Sequence, residues 1–168
     1  MRIIFSGSQR GFTLIEVIAV LVIIGIIAAV AISRATSTAQ ATLKSDAEKL
    51  KVHLRYAQLR ALNSTERAWG VDFSGSTNSY RLYYADTSAY YVSFPGEETT
   101  VTLPNTTIAI DGDTGRRVSF DAWGKPYQSL QANFASPSNP QTADRTITLS
   151  AGGYSETITI TKNTGYIP

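Results

Sequence analysis

The sequence predicts an α+β fold in which one long N-terminal helix packs against a mostly antiparallel β-sheet head. Three observations predict it. From Phe12 to Ile32 the chain is apolar on every side, with Glu16 the single charge and Thr13 the other polar residue. From Ile26 to Ala68 no proline or glycine interrupts it. After Arg67 the texture changes to alternating β-branched and aromatic residues broken by turn signals.

The first element is a membrane-length helix. The 21 residues from Phe12 to Ile32 would span ~30 Å as a helix, the thickness of a bilayer's hydrocarbon core. A cleaved secretory signal should end in a small-residue cleavage site followed by a polar break. Ala28, Ala29 and Ala31 are small, but the helical pattern runs straight past them, which favours an anchor. Arg2 and Arg10 precede the run, so its N-terminal end should face the cytoplasm and the remainder should be exported. Glu16 within this run has two readings. It is either an interfacial carboxylate reaching water, or an intramembrane acid kept for a partner.

The second element continues the helix. Leu43, Ala47, Leu50, Leu54, Ala57 and Ala61 step by three and four along one face, while Lys44, Glu48, Lys51, Arg55 and Gln58 occupy the other. A helix from Phe12 to about Leu62, ended by Asn63-Ser64, would measure ~75 Å, too long for a soluble domain of this size, so half of it should protrude. His53 has Lys51 and Arg55 beside it and reads as a surface residue without a role.

The remaining elements are strands. Candidates are Ala68–Phe73, Tyr80–Ala85, Tyr90–Phe94, Thr99–Leu103, Val118–Phe120, Arg145–Ser150 and Glu156–Thr161. The clearest unit pairs the last two runs across Gly152-Gly153, a strong hairpin signal.

Composition narrows the chemistry. The 168 residues contain no cysteine, which excludes disulfides, thiolate metal sites and cysteine nucleophiles. One histidine excludes multi-histidine zinc sites and leaves any Ser-His-Asp arrangement to run through His53. No phosphate-binding loop of the GxxxxGK type is present, so an enzyme is not expected. Asp111-Gly112-Asp113-Thr114-Gly115 alternates carboxylates as a calcium loop does, but Arg116 and Arg117 follow where further oxygen ligands should stand. A turn between strands is the better reading, with Asp111 and Asp113 a weak metal candidate and no cofactor expected.

The segment Arg10-Gly11-Phe12-Thr13-Leu14-Ile15-Glu16-Val17, followed by its long apolar helix, resembles the class III signal of type IV pilins and of the pseudopilins of type II secretion. That resemblance implies that a prepilin peptidase cuts between Gly11 and Phe12 and N-methylates Phe12. It also implies that Glu16 neutralises the new amine of a neighbouring subunit's Phe12 in a filament. The physics is coherent, since an amine and a carboxylate that cannot reach water satisfy each other in one axial register only.

The implied organisation is a leader at 1–11, a transmembrane and filament-core helix at 12–33, an amphipathic helix at 34–63 and a β-rich head at 64–168. Pilins often carry proline where Ser33 stands; Gly25 matches a common helix glycine and could allow bending instead.

Further stretches resemble this family. Arg55-Tyr56-Ala57-Gln58-Leu59-Arg60-Ala61, Gly70-Val71-Asp72-Phe73, Phe120 to Gly124 and the terminal hairpin are similar to minor pseudopilins of the H type and related minor pilins. Asp121-Ala122-Trp123-Gly124-Lys125-Pro126-Tyr127 is similar to a turn of the major pseudopilin. The expectation is a structural subunit of a pilus-like filament, a minor pseudopilin of the type II secretion system, with a minor type IV pilin in pilus assembly, adhesion or DNA uptake as the alternative. Implied partners are other pilins or pseudopilins, the prepilin peptidase, an inner-membrane assembly platform and membrane lipid. The implied location is the bacterial inner membrane, single-pass with a periplasmic head, and then a periplasmic or extracellular filament.

Nucleic acid is disfavoured as a partner. From Ala68 onward there are six bases against nine acids, although Arg116-Arg117 could form a local site. The formal net charge of +2 comes from Arg2 and Arg10, inside the expected leader.

Overall fold

The computed structural model describes residues 11–64, 66–85, 89–111, 116–128 and 141–168. Helix α1 (Leu14–Leu62) runs for 49 residues and contributes to two compact units, one up to Thr38 and one from Ala39 to Pro168. In the first unit the large apolar side chains from Phe12 to Val30 are 47–83% exposed. Leu14–Ala31 has a mean hydropathy of 3.0 and is long and apolar enough to cross a membrane.

The second unit is organised around residues 39–62 of α1. All six positions of the expected face, Leu43, Ala47, Leu50, Leu54, Ala57 and Ala61, are buried to 4% exposure or less. Two antiparallel sheets complete its core. The larger is built from β1 (Ala68–Ser76), β2 (Ser79–Ala85), β3 (Ala89–Val92), β4 (Val101–Thr102), β6 (Arg117–Phe120) and β7 (Pro126–Tyr127). Its order is β3-β2-β1-β6-β7, with β4 also pairing with β2. The smaller has the order β5-β8-β9, from β5 (Thr107–Ile110), β8 (Arg145–Ala151) and β9 (Tyr154–Ile160). Val71, Phe73, Leu82, Val118 and Phe120 from one sheet and Ile147, Leu149, Ile158 and Ile160 from the other join the helix face in one apolar cluster.

The expected hairpin forms as its sequence requires. Ala151 pairs with Tyr154, leaving Gly152 and Gly153 as a two-residue loop with φ of 57° and 84°, the double left-handed conformation of a type I′ turn. Two strands escape the sequence reading. Thr107–Ile110 is a four-residue edge strand paired only with β8, and Pro126–Tyr127 is a two-residue edge where a proline does not break a ladder.

His53 corrects the sequence reading. It is 8% exposed, its Nδ1 lies 2.9 Å from the Tyr80 hydroxyl, and its ring stacks on Phe94 with centroids 4.0 Å apart. Burial pulls its pKa below the ordinary value, a shift only partly opposed by the negative charge of Glu97. The reason is the width of the buried arc. Phe94 and Tyr80 cover the flank of α1 beside Leu50 and Leu54, and Lys49 pairs with Glu97 at 2.7 Å next to it. The apolar stripe read from Leu and Ala alone was therefore too narrow.

Gly70, where β1 crosses both β2 and β6, has no room for a side chain. A Cβ there would sit 2.2 Å from the Val118 carbonyl oxygen and 2.7 Å from Ser119 Cα, both backbone atoms. Gly70→Ala should therefore part β1 from β6 and destabilise the head by about 1–3 kcal/mol. Chemical denaturation of the full chain in detergent reads this out, and an unchanged midpoint would refute it.

Candidate functional site

The processing and assembly residues expected from the sequence lie together at the start of α1. Gly11 and Phe12 precede the helix in non-helical, exposed conformation. Thr13 is its N-cap: the Thr13 hydroxyl accepts the Glu16 backbone N–H at 3.3 Å, and its carbonyl accepts the N–H groups of Glu16 and Val17 at 3.1 and 3.3 Å. Thr13-Leu14-Ile15-Glu16 thus has the sequence spacing of a capping box. The sequence analysis named Thr13 only as a polar residue of the run, although the signal of a cap, a Thr three residues before a Glu at the head of an apolar run, was present.

Glu16 is exposed in the first turn, where the partial positive charge of the helix N-terminus favours a carboxylate. Phe12, Val17, Val20 and Leu21 surround it in an open groove of about 270 Å³. Chemically this is an acid framed by apolar surface. It suits a complementary cation delivered on an equally apolar element, because a partner of that kind excludes water from both charges at once.

A second cluster locks the end of the head onto α1. Gln58 Nε2 donates to the carbonyls of Gly124 at 2.9 Å and Gly165 at 3.1 Å. The Arg55 guanidinium donates to the Ile167 carbonyl at 3.0 and 3.3 Å. Gln58, read from the sequence as facing solvent, instead joins the β6–β7 turn to the C-terminal tail. The Asp121 to Tyr127 turn is held by one carboxylate. Asp121 accepts the backbone N–H groups of Trp123 and Lys125, both at 2.9 Å, and the Tyr127 hydroxyl at 3.0 Å. Burial and that carboxylate push the Tyr127 pKa up to about 12.

Asp111 follows β5, and its carboxylate accepts the Thr146 backbone N–H at 2.8 Å. Asp113 lies outside the described residues. A cavity of about 130 Å³ beside Asp111 and Asp144 is also lined by the buried Arg145, a positive charge in the place where a cation would bring another. Among the described residues no group of three or more metal-ligating acids or histidines gathers. Arg116 and Arg117 are engaged within the head: Arg116 donates to the Ile108 carbonyl at 3.0 Å, and Arg117 pairs with Asp72 at 3.2 Å. They do not form the open basic pair considered from the sequence.

Comparison with known proteins bears on the N-terminal segment and on the fold. Residues 7–32 match the model of the prokaryotic N-terminal methylation motif, a span that contains Gly11, Phe12 and Glu16. No curated protein matches the sequence as a relative. Among solved structures, the fold is similar to that of the type IV minor pilin FimU of Pseudomonas aeruginosa, with a TM-score of 0.50 and 16% identity, over 75% of this chain and 90% of that one. The chain is thus type IV pilin-like, with a prepilin motif at its N-terminus and a pilin fold.

Proposed function

We propose that this chain is a minor subunit of a pilus-like filament, cut between Gly11 and Phe12, N-methylated at Phe12 and joined to its neighbours through Glu16. The observation that carries the proposal is the methylation motif at residues 7–32 standing directly on an apolar, membrane-length helix whose first turn presents Glu16. The role is structural and involves no catalytic step of its own. Before assembly the segment Leu14–Ala31 holds the chain in the inner membrane with the head in the periplasm, and an assembly platform there extracts it into the filament.

The filament is read as that of type II secretion, on the resemblance of the Arg55–Ala61 helix end and the Asp121–Tyr127 turn to pseudopilins. The likeness to a type IV minor pilin supports the second reading, a subunit of a type IV pilus. Deleting the chain and scoring protein secretion and surface piliation side by side separates the two. Loss of secretion alone supports the first and loss of piliation alone the second.

Glu16→Gln tests the assembly role against the capping role. Glutamine keeps a hydrogen-bonding side chain three residues after Thr13 but removes the charge. The variant should be cleaved and inserted normally. Its incorporation into filaments should fall by more than about tenfold, because a buried amine left unpaired costs several kcal/mol. Normal incorporation of Glu16→Gln in isolated filaments would defeat the charge-pairing account.

A further inference from the structure

A groove of about 740 Å³ opens where α1 ends and β1 begins. Its walls are Tyr56, Leu59, Arg60, Glu66, Arg67 and Trp69. Leu59 is exposed here, as are both arginines and Glu66. Two of the last carbonyls of α1 have donors: the Asn63 backbone N–H and Asn63 Nδ2 both donate to Leu59 O, and the Ser64 N–H donates to Ala61 O. The negative end of the helix is therefore partly quenched at the rim.

The two arginines are held in place by aromatic rings and not by acids. The Arg60 guanidinium carbon lies 4.3 Å from the centroid of the Trp69 ring, and that of Arg67 lies 5.0 Å from the Tyr84 ring. Trp69 packs on Tyr84 and Tyr84 stacks on Tyr90, with centroids 5.2 and 5.3 Å apart. Among the described residues neither guanidinium has a carboxylate within ion-pair distance. A guanidinium resting on a ring keeps the N–H groups along its edge for an acceptor, and a carboxylate matches that edge with two parallel hydrogen bonds.

We infer that this groove docks an acidic peptide segment of another protein, with carboxylates taken by Arg60 and Arg67 and an aliphatic side chain laid on Leu59 and Tyr56. Charge complementarity selects the occupant, since two cations against one acid, Glu66, leave the groove positive on a head that is otherwise acidic. A strand of nucleic acid fits less well. Stacking platforms for bases need open ring faces, and here Arg60 and Arg67 lie over Trp69 and Tyr84. The head, with nine acids against six bases from Ala68 onward, repels a polyanion as a whole.

The test uses the full chain in detergent with Trp123→Phe, so that fluorescence reports Trp69 alone. The probe is an acetylated, amidated Glu-Leu-Glu-Leu peptide, compared with its Gln-Leu-Gln-Leu counterpart and with an oligothymidylate. The acidic peptide should give a saturable change and the glutamine peptide none. Arg60→Gln and Arg67→Gln should each weaken binding at least about tenfold, the loss of one charge-assisted hydrogen bond. The denaturation midpoint checks that each variant is folded, and Arg67→Gln, whose ring partner is not Trp69, leaves the reporter's own contact intact. No response to the acidic peptide, equal binding of the glutamine peptide, unchanged affinity in both arginine variants, or preference for the oligothymidylate would each overturn the inference.

Discussion

Gly11→Asp should leave the chain unprocessed in cells, ~1 kDa heavier than the mature form at about 110 Da per residue of leader. The structure sharpens what such a result would mean. A Cβ built on Gly11 meets nothing within 4 Å, and Gly11 is not among the glycines with positive φ. Neither space nor backbone conformation in this protein calls for glycine at that position. A side chain there should leave the thermal and chemical stability of the head unchanged, so under the proposed cleavage a block would arise in recognition by the peptidase and not in the fold. Intact mass of the membrane-extracted chain gives the answer. A Gly11→Asp chain that matures to the normal mass would remove the cleavage assignment, whereas a retained leader together with a destabilised head would point to misfolding instead.

The contrast with Gly70 shows which parts of the molecule can be read from sequence. Both are single glycines in a suggestive context. Gly70 is demanded by backbone approach inside the fold, whereas the space around Gly11 is open, and composition cannot tell the two apart. The helix face was legible because Leu43 to Ala61 repeat at a period set by helix geometry itself. The Gly152-Gly153 turn was legible because few residues accept two left-handed conformations in succession.

What the periodicity could not supply was the breadth of burial. Tyr80 and Phe94 pack over His53, and the β6–β7 turn and the C-terminal tail reach Gln58 and Arg55, contacts that a two-residue-wide stripe does not anticipate. The strand Thr107–Ile110 was missed because four residues make a weak alternation, and it is defined by pairing with a segment about forty residues away. Of the candidate site, Gly11, Phe12 and Glu16 were visible as a contiguous motif. The aromatic seats of Arg60 and Arg67 depend on strands that only the tertiary fold brings beneath the helix end.

The largest stability effect expected in the head is at Asp72, whose role no local pattern announced. It lies on β1 and is 1% exposed, yet it is a carboxylate. Four groups hold it: the Tyr91 hydroxyl at 2.6 Å, the Ser74 backbone N–H at 2.7 Å, Arg117 at 3.2 Å and Arg81 at 3.6 Å. Arg81 also rests on the Tyr91 ring at 3.8 Å. The cluster ties β1 to β2, β3 and β6 on the outer face of the sheet, where apolar packing does not. Asp72→Ala should therefore cost about 2–4 kcal/mol, since it strips an acceptor from Tyr91 and Ser74 and a counter-charge from two arginines. Arg81→Gln, at the partly exposed edge of the same cluster, should cost under about 1 kcal/mol.

The pH dependence follows from the same contacts. Burial pushes the Asp72 carboxyl up, but the hydrogen bonds from Ser74 and Tyr91 and the charge of Arg117 outweigh it and hold the group below its ordinary 3.8. In the window below 3.8 the unfolded chain binds the proton more readily than the folded one, so stability rises with pH through that window. The contribution is complete above the unfolded pKa and disappears as pH falls through the folded one. Asp72→Asn lacks the titrating group, so the difference in unfolding free energy between the parent chain and Asp72→Asn should shrink on acidification. Urea denaturation of both in detergent from neutral pH down to the carboxylate range measures it. A difference that stays constant with pH, or an Asp72→Ala cost no larger than that of Arg81→Gln, would show that the buried carboxylate is a passive occupant of the sheet.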